Sequence, residues 1–530
     1  MTSCQPLRVV TVVCAIAVFL TACSSSGSRD ESGGGVAVVA AHDPKLAVKL
    51  DDVLRRGQTG PAKYTARVID LESNRELYAV DTDAPFMPAS NGKIAVSAAT
   101  LDFFGSDHTF KTWLAIDGED LWLIGTGDPG VGDNAIAKKS GGTTMTVLDE
   151  WADALKRRGV TKLSGNLYYY DREVDDELVH PTWSKGYITD WYAAPISGLN
   201  FNNNCIDITV KPTAEGQPVE YAIIPPTKRV GVRVRNKVTT GRGDTPDADR
   251  EIDANVFTIT GATTRPMEVK SEAITEPAPF FADALRTHLE SKGITIAGET
   301  KRAAAPLGGK LEPSKSKLVA VHETKMADAI SRINKQSQNN FAEGFIKILG
   351  HAYAKKHGRN EPGSWKNGSE AVLAFLKKNS IDTTGIAIVD GSGLSRDNRV
   401  TSRMISDVFR VMWRHKEKET FFNSLTVGGV DGTIAKRFDD LKGRVHAKTG
   451  FIGGVRSLSG YVQNDDGKGL IFSIIYNGFR GSANPYEDMQ DNAVRVLAAW
   501  PKPAKLPATR RATTTTATSP ATRRSAATMS

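Results

Sequence analysis

Four cysteines in 530 residues are too few to build a disulfide framework. The apolar run at the N-terminus, Val9 to Leu20, is about 12 residues long and falls short of a membrane span. No internal repeat of fixed period, no G-x-S-x-G elbow and no H-E-x-x-H pair is present. Acidic residues are missing altogether from the last 30 positions, which hold Lys502, Lys505, Arg510, Arg511, Arg523 and Arg524. Those six account for most of the formal charge of +8 and leave a body near +2. The body shows no basic stripe interleaved with aromatics, so nucleic acid is excluded as a partner. With 24% charged and 40% hydrophobic residues, the chain is also neither wholly disordered nor a multi-span membrane protein.

What is present begins with a segmental plan. Arg8, the apolar run and Leu20-Thr21-Ala22-Cys23 resemble a bacterial lipoprotein signal of residues 1–22, with Cys23 as the lipidated first residue of the mature chain. Residues 23–40 are Ser/Gly-rich and form a flexible tether. Residues 502–530 are a Thr/Pro-rich basic tail, too poor in large apolar groups to fold. Cys205 is the thiol that remains in the body, and it reads as a small buried side chain.

Within the body, Tyr64–Leu71 and Glu76–Val80 read as strands, followed by a helix from Ser90 to about Phe104. Near the other end, Val445–Thr449, Val455–Val462 and Leu470–Asn477 read as three strands, and a last helix covers Tyr486–Trp500. The long middle part mixes strand-like runs with turns, and its clear helices are Thr146–Arg158 and Pro279–Lys292.

Three short motifs carry chemistry in combination. Ser90-Asn91-Gly92-Lys93 puts a hydroxyl and an amine three residues apart on one helical face, where a neutral lysine could take the serine proton. By itself the motif is frequent, and it reads first as an N-cap beside a solvated lysine. Lys448-Thr449-Gly450 lies at the end of a strand; it reads either as an edge lysine before a turn or as a cationic edge that holds a carboxylate. On the second reading the backbone aligns a peptide as an extra strand, with Gly450 leaving room for its approach. Ser337-Gln338-Asn339 sits between two helical patterns, where capping competes with a role in bridging a lysine base and a substrate amide. The glycines from Gly125 to Gly130 satisfy G-x-G-x-x-G but lack the helix a dinucleotide fold requires. His351 and His357, six apart on a helical stretch, are badly spaced to share a metal.

The order S-x-x-K, S-x-N, K-T-G resembles that of penicillin-binding proteins and β-lactamases. With Pro88–Lys93, Gly125–Pro129, Tyr192–Ser197, Asp390–Arg396 and Gly429–Thr433, the chain is similar to the class C low-molecular-mass penicillin-binding proteins of the D-alanyl-D-alanine carboxypeptidase/endopeptidase family. The roughly 240 residues between the first two motifs suit the insertion this family carries, whereas a β-lactamase separates them by far less.

The resemblance implies an α/β (α+β) fold: an antiparallel sheet flanked by helices, built from residues 41–120 and 313–501, with β-rich insertion over 121–312. It implies Ser90 as acylated nucleophile, Lys93 as general base and Ser337 as proton relay. Asn339 would contact the substrate amide, and Lys448, Thr449 and Gly450 the carboxylate end. The N–H groups of Ser90 and Phe451 would form an oxyanion hole. Phe451 departs from the Ser or Thr of relatives, which removes a hydroxyl from carboxylate binding. The proximity of Lys448 is expected to keep Lys93 partly neutral. The implied activity is hydrolysis of peptidoglycan stem peptides outside the cytoplasmic membrane, with β-lactams as covalent inhibitors, a lipid anchor to the membrane, and no metal or other cofactor. The alternatives are a β-lactamase and a catalytically inactive wall-binding lipoprotein.

Overall fold

The computed structural model describes residues 43–58 and 60–500. The signal, Cys23, the tether and the basic tail lie outside the described residues. Two principal sheets organise the body. Their strands in chain order are β1 (Lys63–Asp70), β2 (Glu76–Val80), β3 (Thr109–Asp117), β4 (Asp120–Gly125), β5 (Leu167–Tyr170), β6 (Thr300–Arg302), β7 (Leu318–Lys325), β8 (Thr426–Val427), β9 (Val445–Ile452), β10 (Val455–Gln463) and β11 (Gly469–Asn477).

The first sheet runs β8-β9-β10-β11-β1-β2 and is antiparallel throughout. Of its two N-terminal strands, β1 pairs with β11, about four hundred positions away, and carries β2 at the sheet edge, so the sheet joins both ends of the body. Helices cover both of its faces. On one side Pro44–Arg55 and Asn484–Ala498 bury Leu50, Leu54, Val494 and Leu497 against Val68, Phe472 and Ile474. On the other, Ser402–Arg414 packs on the sheet, and Lys93–Phe104, Met326–Asn334, Asn339–Lys356 and Trp365–Lys378 share one core with it and with Ile69, Ile471 and Ile475. Burial from both sides explains why β11 is an almost unbroken apolar run rather than an alternating one.

The second sheet runs β6-β5-β4-β3-β7 and is mixed, with β6, β5 and β4 parallel to one another. The helices Thr146–Arg157 and Pro277–Ser291 bury Leu148, Trp151, Phe281 and Leu285 with it. Further small sheets lie between residues 205 and 273. The sequence boundaries at 121 and 312 cut through this sheet: β3 falls before the first and β7 after the second, yet β3 pairs with both β4 and β7. The inserted sheet therefore spans Thr109 to Lys325. Alternation marks a segment as a strand but not the sheet it joins, because its partner is distant in sequence.

Candidate active site

Ser90 sits in a short 3-10 turn, Ala89–Gly92, that leads directly into the helix Lys93–Phe104. Ala89 is held at φ 47°, a left-handed conformation unfavourable for a residue with a Cβ, and Ser337 at φ 58° is a second such residue. Both strained positions flank the same cleft. Lys93 is fully buried. Its Nζ donates to Ser90 Oγ at 2.8 Å, to Asn339 Oδ1 at 2.7 Å and to the Ser392 carbonyl oxygen at 2.7 Å.

Lys448, on β9, is equally buried. Its Nζ donates to Ser337 Oγ at 2.8 Å and to the Thr449 carbonyl oxygen at 2.7 Å. Asn91 ties the two halves together by donating its Nδ2 to the Lys448 carbonyl oxygen at 2.9 Å. Among the described residues neither lysine has a carboxylate within salt-bridge distance. Burial pulls the Lys93 amine down to about 7, against the opposing pull of Glu343 and Asp390. Lys448 lies well below the usual lysine range, through burial first and the nearby Lys93 second. The sequence expectation named the second lysine as the cause for Lys93; desolvation is the cause instead.

Asn339 is bound at both ends, because its Nδ2 also donates to the Tyr192 carbonyl oxygen at 2.6 Å. Thr449 Oγ1 donates to Thr433 Oγ1 at 2.8 Å. Gly450 serves a purpose other than the one expected. A Cβ there would point inward, 2.2 Å from Ser457 Oγ and 2.8 Å from the Pro88 carbonyl oxygen. Its bareness lets β9 lie against the Ser90 turn rather than making room for an incoming strand. Phe451 is 55% exposed, with the Arg456 guanidinium over its ring. It lines, with Ser90, Ser337, Asn339, Ser392 and Trp191, a cavity of about 370 Å³. Beyond Ala447 the edge of β9 is paired by no strand among the described residues, since β8 covers only His446 and Ala447.

Three contributors escaped the sequence reading. The Ser392 carbonyl is backbone and leaves no side-chain trace. Glu343, the one acidic residue of the helix Asn339–Lys356, accepts from the N–H groups of Gly391 (2.9 Å) and Ser392 (2.8 Å) and from Trp365 Nε1 (2.7 Å). Burial, and then Asp390, pushes its carboxyl upward. Asp390 accepts from the N–H groups of Gly393 and Ser395 and from Trp183 Nε1, folding the 390–395 loop around itself. The sequence reading singled out that loop without assigning it work. Of the two histidines, His351 is half-buried, with Nε2 2.8 Å from Glu173 Oε2, while His357 is exposed. Cys205 is buried.

The sequence model of the family described as D-Ala-D-Ala carboxypeptidase 3 (S13) matches residues 46–500. A D-alanyl-D-alanine carboxypeptidase of Actinomadura sp. (strain R39) is 30% identical over 467 residues, covering 83% of this chain and 82% of its own length. The D-alanyl-D-alanine carboxypeptidase DacB of Haemophilus influenzae is 24% identical over 412 residues, 74% of this chain and 81% of that one. Among solved structures, penicillin binding protein 4 (dacB) from Haemophilus influenzae superposes with a TM-score of 0.68 at 21% identity, over 85% of this chain and 99% of that one.

Proposed function

The chain belongs to the D-Ala-D-Ala carboxypeptidase 3 (S13) family, and from that premise we propose how its cleft performs the reaction. It is a serine-type D-Ala-D-Ala carboxypeptidase that acts outside the cytoplasm on peptidoglycan stem peptides and is acylated by penicillins. Ser90 is the nucleophile and Lys93 its base. A neutral amine has two N–H donors and one lone pair. The oxygens of Asn339 and Ser392 take the donors, which leaves the lone pair aimed at the Ser90 hydroxyl. Burial keeps a substantial fraction of Lys93 in that form near neutral pH.

Ser90 Oγ attacks the carbonyl carbon of the penultimate residue while its proton moves to Lys93 Nζ. The oxyanion faces the N–H groups of Ser90 and Phe451. When the tetrahedral species collapses, the C–N bond breaks and the departing amine takes, through Ser337, the proton that Lys93 removed from Ser90, so Lys93 is neutral again; Lys448 positions Ser337. Lys448 holds the terminal carboxylate, Thr449 lies beside it on the same strand edge, and Gly450 keeps both in register with Ser90. Asn339 retains one N–H and one lone pair for the substrate amide. Water, activated by the same lysine, then hydrolyses the acyl-enzyme.

The observation that carries this reading is the 2.8 Å contact between a fully buried amine and the Ser90 hydroxyl. Incubation with labelled penicillin followed by mass analysis is expected to place one adduct on Ser90. An adduct that persists in Ser90→Ala removes the assignment. The β-lactamase and inactive-protein alternatives lose support because the family match runs through nearly all of the body and the motif side chains are in contact.

The finer localisation is a lipid on Cys23, which holds the enzyme at the membrane facing the wall. Its support is the apolar run and the small residues before that cysteine. Metabolic labelling with a fatty acid is expected to mark the wild type and not Cys23→Ala. Incubation with muropeptide monomers and cross-linked dimers measures the balance between carboxypeptidase and endopeptidase turnover.

A further inference from the structure

The Gly429–Thr433 run has no part in the mechanism above, yet it ends beside the strand edge that holds the carboxylate. Alternate side chains of a strand share a face, and on β9 Thr449 shares one with Phe451. Thr449 brings a hydroxyl to that face; Phe451 brings none. A second hydroxyl arrives from outside the strand, because Thr449 Oγ1 donates to Thr433 Oγ1 at 2.8 Å. That bond uses the Thr449 proton. Thr433 is exposed, and its own hydroxyl proton has no protein acceptor among the described residues.

Thr433 is also held in place. Asp431 accepts from Lys335 Nζ at 2.5 Å and from the Val427 N–H at 2.9 Å, and the Thr433 N–H donates to the Lys335 carbonyl oxygen at 3.1 Å. Between them Gly432 has φ 61°, and a Cβ there would lie 2.3 Å from Thr426 Oγ1 and 2.6 Å from the Lys335 carbonyl oxygen. Only glycine fits that bend. Lys335 lies two residues before Ser337, so one short turn supports both the proton relay and this hydroxyl.

We propose that Thr433 is a specificity-determining residue: its hydroxyl, coupled to that of Thr449, donates to the terminal carboxylate of the substrate and does the work that a hydroxyl at position 451 would do. The proposal rests on the serine-peptidase reading above. It makes the free carboxylate, rather than the peptide body, the group whose recognition depends on position 433.

The test compares an acyl-D-Ala-D-Ala peptide bearing a free C-terminus with its C-terminal amide, using the full chain. Thr433→Val is expected to lower kcat/KM for the free acid by about tenfold or more, the scale of one hydrogen bond to a charged group. It should leave the amide within about twofold, and Thr433→Ser should behave as wild type. Adding Phe451→Thr to Thr433→Val is expected to return most of the loss. Equal losses on acid and amide, no loss on either, or a Ser variant as impaired as the Val variant would each overturn the proposal. Failure of the underlying reading registers separately, as wild-type protein that penicillin does not label at Ser90, and it takes this proposal down with it.

Discussion

Two regions along one helix bury lysines to the same degree and use them differently. At the N-terminal end of Asn339–Lys356, Asn339 receives a bond from Lys93, whose partners are a hydroxyl and two neutral carbonyl oxygens. Two turns further on, Lys347 is also fully buried, but its Nζ donates to Asp175 Oδ1 at 2.7 Å and sits 3.6 Å above the Trp365 ring. Burial lowers both amines; only at Lys347 does a bonded carboxylate pull back. Desolvation alone therefore does not make a lysine a base. The bonded partners decide, since carbonyls tolerate a neutral amine whereas a carboxylate at 2.7 Å favours the ammonium. On the proposed mechanism the first arrangement serves proton transfer, and the second fastens the helix Asn339–Lys356 to the loop that follows β5.

The contrast can be broken most sharply at the first lysine. Lys93→Met is expected to lower the rate of penicillin labelling by about 10³-fold or more while leaving the thermal midpoint unchanged or higher, because no ion pair is lost. A marked fall in midpoint would mean that Lys93 is structural. Gly450→Ala tests the seat of β9 against the Ser90 turn. Its Cβ must displace Ser457 or the turn, and a loss of about 10² in labelling rate follows from misplacement on the order of 1 Å.

Lys347→Met should do the reverse of Lys93→Met. Unfolding becomes easier by about 3 kcal/mol as Asp175 loses its partner, while labelling of the folded protein stays within about threefold. Chemical denaturation and labelling kinetics on the same preparation separate the two effects.

The pH response sharpens the comparison further. On the proposed mechanism the reactive form of Lys93 is the neutral one, so labelling rises with pH, reaches half its plateau near 7 and drops to about a tenth one unit lower. Between about 7 and 10.5 the unfolded chain holds a proton on this lysine that the folded chain has released, so the group adds to stability as pH climbs through that window. A labelling profile flat from pH 5.5 to 8 would contradict this. The smallest change belongs to Cys205→Ser, which bonds to neither lysine: about 1 kcal/mol or less in stability and no change in rate.

Much of the site could be read from the order and spacing of its motifs. Ser90 and Lys93 are three apart at a helix start, and K-T-G follows a strand, so local geometry fixes which side chains project together. What could not be read belongs to partners that are remote or carry no side-chain mark. The Ser392 carbonyl that accepts from Lys93 is backbone. Glu343 resembles a stray acid on an apolar helix until the 390–395 loop folds over it. Gly450 was assigned to an incoming substrate because nothing local shows that the Pro88 carbonyl lies beneath it. The edges of the inserted sheet were misplaced for a related reason: β3 and β7 are not among the strands read from the sequence, and their pairing joins residues about two hundred positions apart.

That same pairing has a consequence for how such a chain could have been assembled. Thr109 and Lys325 are opposed on one rung, and the Met326 N–H donates to the His108 carbonyl oxygen at 3.0 Å. The chain leaves the catalytic body and rejoins it at neighbouring points, so a whole lobe hangs from a doorway two strands wide. Parts of that lobe remote from Asp175, Trp183 and Tyr192, which bond to the catalytic body, can be enlarged or trimmed without shifting the residues on either side of the threshold. Enzymes with one acylating centre can in this way come to handle wall fragments of different bulk.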